Sequence, residues 1–323
     1  QSNSMSGILN PIFYAAFSGQ AGGAGFDLIG DKVVYNPVQP AFKEFLAYMN
    51  KLYTEKLLDG EMFTQTMQEY IAKYKEGVMG ISTISLSSVL SPGEPANYEL
   101  LSPLTSSMNN KKVTAELPGV YSGVFVLTDK CKYPEAAFRL GDYLCSEEMT
   151  IWGRFGVKGV DWFEPKEGEK SAYEELNLVS YKTVVTYRPP AWADVGNNYW
   201  ANTGPRIYGV KLFFGQALSS DISETERNYQ LTLAKDYFLA GSFVNDNKIV
   251  SGLVYNEEES EIINSIYKAA VSYVEEAWAR FVLGDLDIDS DADWNAYLNE
   301  LSRMDLDAAI AATQSCLDRM YKK

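Results

Sequence analysis

The sequence contains no histidine. That removes the commonest general base and, with it, Ser-His-Asp and Cys-His catalysis in their usual forms. Ordinary His-containing zinc sites are excluded as well. Three scattered cysteines, Cys131, Cys145 and Cys316, do not make a Cys-only site, so no metal ligands are assigned and no cofactor is expected. An odd, sparse cysteine count also argues against a disulfide scaffold. Three free thiols are expected, with Cys316 a small core residue on the apolar stripe of the last helix. No run of about 18 apolar residues occurs, so no membrane-spanning helix is expected. Basic residues are scarce: 28 Lys and Arg stand against 43 Asp and Glu, a formal charge of −15. Phosphate backbones are held by clustered Lys and Arg, and no such cluster interrupts the acidity, so nucleic acid is excluded as a partner.

What is present is ordinary globular material. Of 323 residues, 46% are hydrophobic and 22% charged, enough to build one large domain or two modest ones. Gln1 to Met5 read as an expression scar, with the natural segment expected to start near Ser6 and any signal or lipid anchor to precede it. Asp31-Lys32 followed by Val33, Val34 and Tyr35 reads as a turn into a short strand. Pro40 opens a helix on which Phe42, Phe45, Leu46, Met49, Leu52, Tyr53 and Leu57 keep the 3.6 period, and Gly60 ends it. A second helix is expected over roughly 64–75, then short strands at Val78–Ile81 and Tyr98–Leu101 and a buried strand at Tyr121–Leu127. Pro134 opens a helix with Ala137, Leu140 and Leu144 on one face. Further helices are expected over 223–240, from the acidic run Glu257–Glu261 to about Leu283 (Ile262, Ile266, Ala270, Tyr273, Ala277 and Phe281 inward), over Trp294–Met304 and over Leu306–Met320. Many amphipathic helices and few, short, apolar strands predict an α/β lobe, a small mixed sheet flanked by helices.

Residues 151–222 read as mostly irregular and unusually aromatic. Long loops are functional more often than not, and here they carry the aromatics. Sugars present C–H faces and hydroxyl edges, so a site for them needs aromatic platforms beside Asn, Asp, Arg or backbone groups. The stretch 187–208 has both. Trp192, Tyr199 and Trp200 are candidate platforms, and Arg188, Asn197, Asn202 and Arg206 are candidate hydroxyl partners. The bland alternative is that these aromatics pack the loop onto the lobe. Ser85, in a Ser-rich stretch after the strand expected at 78–81, offers a hydroxyl or simply a turn. Trp152 and Trp162 read as packing residues. Asp289, Asp291, Asp293 and Glu300 have the spacing of a calcium loop, but its sixth position is Trp294 where that loop needs Gly, so Asp293 is expected instead to cap the next helix.

Three stretches together resemble family 1 extracellular solute-binding proteins, particularly the large lipoproteins of Gram-positive bacteria. Within residues 279–321, Phe281, Gly284, Asp287, Trp294, Tyr297, Gln314, Asp318 and Arg319 match that family's C-terminal pattern. Trp152-Gly-Arg-Phe-Gly-Val-Lys-Gly-Val-Asp-Trp162 and residues 31–60 match two further segments, in the right order. The resemblance implies a periplasmic-binding-protein-like fold of type II, α/β, represented mainly by the C-terminal lobe. Residues 6–127 would be its first part and 163–323 its second. Residues 128–162 would be an N-terminal-lobe excursion with its crossing strands. Most of the N-terminal lobe would be missing, leaving Phe138, Leu140 and Leu144 only partly buried. The resemblance also places Phe13 and Tyr14 at a cleft wall, where core packing is the alternative. It implies an ABC importer's binding component that captures an extracellular carbohydrate, expected to be an oligosaccharide, between two lobes. The membrane permease would be its protein partner, and a lipid anchor outside this sequence would hold the whole protein at the cell surface.

Two rival readings remain: a glycoside hydrolase-like enzyme, or a surface interaction module without a small-molecule ligand. Glycoside hydrolysis needs two carboxylates flanking the scissile bond, and the aromatic stretch supplies only Asp194. A panel of chromogenic glycosides and esters is therefore expected to show no turnover above buffer. Robust hydrolysis that a single carboxylate substitution abolishes would contradict the non-enzymatic reading.

Overall fold

A computed structural model of the chain describes residues 13–20, 23–81, 101, 103–113, 125–160, 162–167, 182–183 and 252–321. The chain divides into two compact units. One comprises residues 1–73, 102–116 and 242–323; the other comprises 74–101 and 117–241.

In the first unit, a short helix α1 (13–18) precedes a hairpin of β1 (Phe26–Ile29) and β2 (Lys32–Tyr35). Ile29 pairs with Lys32 and Phe26 with Tyr35, antiparallel. The loop is therefore Gly30-Asp31, and Gly30 takes a φ of +63° that most residues avoid. Helix α2 (Pro40–Thr54) places Pro at its first turn and buries Phe42, Phe45, Leu46 and Met49, as its period requires. It stops earlier than Gly60. Lys56 adopts φ +60°, and the amide of Leu57 donates back to Leu52 O at 2.8 Å. This is a Schellman ending with a non-glycine residue in the left-handed position, and it leaves Leu57 exposed. Helix α3 (Met67–Lys75) starts at a box in which Glu69 accepts from Thr66 N–H at 2.7 Å and Thr66 Oγ1 accepts from Glu69 N–H at 3.3 Å.

The C-terminal region begins with a full capping box, Asn256 with Glu259, opening helix α6 (Glu257–Ile262); α4 and α5 belong to the other unit. A π-helical turn, Ile263–Tyr267, joins it to α7 (Lys268–Leu283). The wide turn shifts the expected 3.6 stripe. Ile262 and Ile266 end half-buried, while Ala270, Val274, Ala277, Trp278, Phe281 and Val282 face the core. The shifted register stacks Tyr267 on Phe26, with ring centroids 4.6 Å apart. Gly284 ends α7 at φ +87°. Helix α8 (Asp291–Arg303) is capped by Ser290, not by Asp293. Helix α9 (Leu306–Tyr321) follows after Asp305, itself at φ +61°.

Chain-distant hydrogen bonds tie these helices to the N-terminal elements. The Gln314 amide oxygen accepts from Val33 N–H at 2.8 Å, and its NH₂ donates to Asp31 O at 3.1 Å and to Asp318 Oδ1 at 2.9 Å. Asn50 Nδ2 donates to Phe281 O and Val282 O, both at 3.1 Å. Tyr297 Oη donates to Pro37 O at 3.1 Å. Beneath them, Val33, Leu253, Cys316 and Leu317 form a buried cluster that Phe26, Leu28, Tyr255 and Ile310 cover.

In the second unit, Pro134 occupies the first turn of α4 (Pro134–Leu144). Ser146 caps α5 (Glu147–Phe155), accepting from Met149 N–H at 3.2 Å, a helix where an irregular stretch was expected. Strands β3 (Trp162–Phe163) and β4 (Lys182–Thr183) pair antiparallel. Three expected strands are not formed where they are described. Gly77, at φ +71°, and Gly80 break the apolar run at 78–81, and Val78 and Ile81 are exposed. Residues 125–127 are also irregular, with Val126 68% exposed. Leu101 is likewise exposed and outside any strand. The expected helix over 223–240 lies outside the described residues.

Replacing Gln314 by Leu removes the partner of the Val33 N–H, on a buried residue, while the Asp31 C=O, on an exposed one, turns to water. Leaving a buried backbone N–H unsatisfied costs about 1 to 3 kcal/mol. Urea denaturation is expected to show that loss at unchanged slope; an unchanged midpoint would mean that the amide bridge contributes nothing net.

Candidate functional site

Tyr14 on α1 is 1% exposed. Its ring meets Phe42 at 5.6 Å and Phe45 at 5.9 Å, edge-on in both cases. Phe45 in turn contacts Trp278, which meets Phe63 edge-on. Burial pushes the Tyr14 hydroxyl far above its usual pKa, and a hydrogen bond with Ser18 offsets part of that rise. In this structure the ring of Tyr14 is committed to the aromatic core and presents no open face. Phe13 is half-buried.

Ser85, Arg188, Trp192, Asn197, Tyr199, Trp200, Asn202 and Arg206 lie outside the described residues. What leads toward them is described. Strand β4 ends at Thr183, four residues before Tyr187, and its Lys182 and Thr183 backbone is paired with β3. Trp162 in β3 is buried. Its Nε1–H donates to Gly156 O at 3.0 Å, and the Lys158 ammonium lies 5.3 Å from its ring centroid. Lys158 also pairs with Glu164, whose carboxyl is held below its usual pKa by that hydrogen bond. The Trp162 indole hydrogen bond and the Lys158–Glu164 pair thus fix the turn between α5 and β3.

The alternating aspartates serve the backbone. Asp293 Oδ2 accepts from Asp287 N–H at 2.9 Å, Asp287 Oδ1 from Asp289 N–H at 3.0 Å, and Asp291 pairs with Lys43 at 3.1 Å. Among the described residues no group of three or more His, Cys, Asp or Glu side chains is placed to hold a metal ion. The cysteines are free thiols, Cys316 fully buried, and burial raises its pKa, which keeps it a thiol.

Among the described residues, one charged pair has a buried member: Glu259 meets Arg319 at 2.6 Å, the carboxylate side chain being 6% exposed. Burial opposes the ionisation of Glu259. Hydrogen bonds from Asn256 N–H and Arg319, both to Oε2, outweigh it and hold the carboxyl below its usual pKa. Arg319 also donates to Val254 O at 2.9 Å. The pair therefore fixes the chain entering α6 against α9.

Helix α4 presents aromatics that the sequence reading did not single out. Tyr133 and Tyr143 are exposed, as are Phe138 and Leu140, whereas Leu144 is buried. The signal was available for two of them: Leu140 and Tyr143, three apart, are neighbours on the helix surface.

No family model matches the chain, and no curated protein matches it in sequence. Solved structures do match. The S. pneumoniae ABC-transporter substrate-binding protein FusA in complex with kestose superposes with a TM-score of 0.65 at 18% identity, over 96% of this chain and 60% of that one. The alginate-binding protein AlgQ2 gives 0.62 at 19% identity, over 98% and 63%. A human-milk-oligosaccharide (HMO)-binding, ABC-transporter-associated solute-binding protein from Bifidobacterium longum infantis gives 0.57 at 15%, over 97% and 62%. The chain has the fold of these solute-binding proteins. It spans about 60% of the length of the structures it matches. Among the described residues no helix is long and apolar enough to cross a membrane.

Because the folded-state pKa of Glu259 is depressed, its ionisation stabilises the protein above the unfolded-state value of about 4.3. That contribution is lost as pH falls through the depressed folded value. Glu259→Gln is expected to lower the melting temperature at pH 7, and the gap from wild type is expected to narrow as pH falls below the unfolded-state value and through the depressed folded one. A gap that stays constant as the medium is acidified would contradict an ionised Glu259.

Proposed function

We propose that this chain is the greater part of one lobe of an ABC-importer solute-binding protein of Gram-positive type, and that the whole protein captures an extracellular oligosaccharide. The observation that supports this reading is the superposition of nearly the whole chain on saccharide-binding proteins, two of them named as ABC-transporter solute- or substrate-binding proteins. Residues 6–127 and 163–323 would then form the C-terminal lobe, and 128–162 would reach into the other. The protein acts by binding and release, without catalysis, and hands the sugar to a membrane permease while a lipid anchor keeps it at the cell surface.

The aromatic stretch 187–208 supplies the sugar contacts in this reading. A sugar C–H face laid on Trp192, Tyr199 or Trp200 removes apolar surface from water, worth about 25 cal/mol per Å². Arg188, Asn197, Asn202 and Arg206 meet the hydroxyls at the ring edge, where paired donors and acceptors fit paired oxygens, and Ser85 adds a hydroxyl. Tyr14 supports the lobe from within its core. The surplus of acid elsewhere, −15 over the chain, contrasts with this stretch, which carries two Arg and one Asp and suits uncharged or acidic saccharides.

In the full-length protein, Ala at each of Trp192, Tyr199 and Trp200 is measured by calorimetry with kestose and alginate oligosaccharides. Loss of a stacking platform is expected to weaken binding by about 1 to 3 kcal/mol. Unchanged affinity in all three folded variants would reduce the stretch to packing and move the site elsewhere.

A further inference from the structure

Both backbone polar groups of Val254 are held by side chains from a single turn of α9. Its N–H donates to Met320 Sδ at 3.4 Å. Its C=O accepts from Arg319 Nη2 at 2.9 Å and from the Cys316 thiol at 3.2 Å. Residues 316, 319 and 320 reach the same place because they are three and four apart on the helix. Leu253, the preceding residue, is buried with Cys316 and Leu317. Asn256, two residues on, caps α6. The chain entering α6 is thus seated on α9 through one residue, and two of the three groups that hold it are sulfur.

The two sulfurs differ in reach. Cys316 is fully buried, and burial raises its pKa, so it stays protonated; oxidation of a cysteine starts from the thiolate. The thioether of Met320 needs no deprotonation. Met320 is 42% exposed and Val254 beside it 58%, so a small oxidant has access to the sulfur from solvent. Met49 and Met62, by contrast, are buried.

The 3.4 Å between Met320 Sδ and Val254 N is a contact distance that leaves no room for an interposed atom. An oxygen added to the sulfur therefore displaces a partner. On the inner side lie Cys316 and Leu317, part of a buried apolar cluster; on the outer side is water. A sulfoxide is polar where the thioether is apolar, so it turns outward and Val254 N–H loses its acceptor. Arg319 keeps its bonds to Val254 O and Glu259, which confines the change to the segment itself.

We infer that Met320 is a redox-sensitive catch: oxidation of its thioether by a peroxide frees the Val254 N–H and loosens the chain entering α6 from α9. The sulfur lone pair attacks one oxygen of hydrogen peroxide and the O–O bond breaks. The proton on the transferred oxygen passes to the departing hydroxide, which leaves as water. The thioether is oxidised to the sulfoxide and the peroxide is reduced, with no other reactant. The inference is independent of the carbohydrate reading.

The test treats the purified chain with hydrogen peroxide, maps added oxygen by peptide mass spectrometry and follows amide hydrogen exchange. Oxygen is expected on Met320, and the amides of 254–256 are expected to exchange about tenfold faster, as the loss of one hydrogen bond allows. Methionine sulfoxide reductases acting on the two sulfoxide epimers are expected to return the slow exchange. Met320→Leu is expected to abolish the response to peroxide, whatever its starting rate. Met108→Leu, which removes a methionine 49% exposed elsewhere, is expected to leave the response intact. Met320 left unmodified while Met108 is oxidised would overturn the inference. So would oxidised Met320 with unchanged or slower exchange at 254–256, a response that persists in Met320→Leu, or faster exchange spread evenly over the chain.

Discussion

The side-chain amide of Gln314 spans the ends of the first unit. It satisfies Val33 N–H and Asp31 C=O on the hairpin, 281 and 283 residues away in the chain. Those groups lie at the turn of a two-stranded hairpin, which is at best marginally stable alone. With α9 held against β2, Val33, Cys316 and Leu317 close a shared core. Asn50 on α2 and Tyr297 on α8 make the same kind of contact, each reaching a backbone carbonyl more than 200 residues away. The fold of this unit therefore depends on a few polar side chains that let the last helices finish what the first elements begin.

Electrostatics follow from that arrangement. A chain with net charge −15 places acid where helix N-termini accept it, at Glu257 to Glu259 and at Asp291 and Asp293. Glu259 is the costly member, because it is buried. It is retained by two roles, closing the capping box and holding Arg319. Arg319 in turn reaches Val254 O, so one ion pair joins the segment before α6 to α9.

Where one rule of local structure decided the outcome, the sequence was legible. Helix α2, with its buried Phe42, Phe45, Leu46 and Met49, follows from Pro40 and the 3.6 period, and α9 from the stripe through Cys316. The family-like residues Gly284, Tyr297, Gln314, Asp318 and Arg319 turn out to be a left-handed helix stop and the tethers just described. Three kinds of feature were not legible. The π turn at Ile263–Tyr267 adds a residue that no period announces, so the inward positions of Ile262 and Ile266 were misplaced. Strand β1 is four residues long, and its hairpin is signalled only by Gly30-Asp31. Apolar runs at 78–81 and 121–127 looked like strands, and the described part of each, 78–81 and 125–127, is not one: a strand needs a partner edge, which a one-dimensional pattern does not show. The candidate site was legible only as composition: of its residues, Tyr14 is described and lies in the core, and the others lie outside the described residues.

The functional account joins a solute-binding fold to the aromatic, amide-rich stretch of sequence at 187–208. Its central claim is that the protein recognises a saccharide, and not merely that it shares an architecture with proteins that do. The most direct measurement is a titration of the full-length protein, followed by intrinsic tryptophan fluorescence, with fructo-oligosaccharides, alginate oligosaccharides and milk oligosaccharides, against amino acids and peptides as non-sugar solutes. The account predicts saturable binding to at least one oligosaccharide class and none to the non-sugar solutes. Saturable binding to a peptide or amino acid, with every saccharide silent, would contradict it.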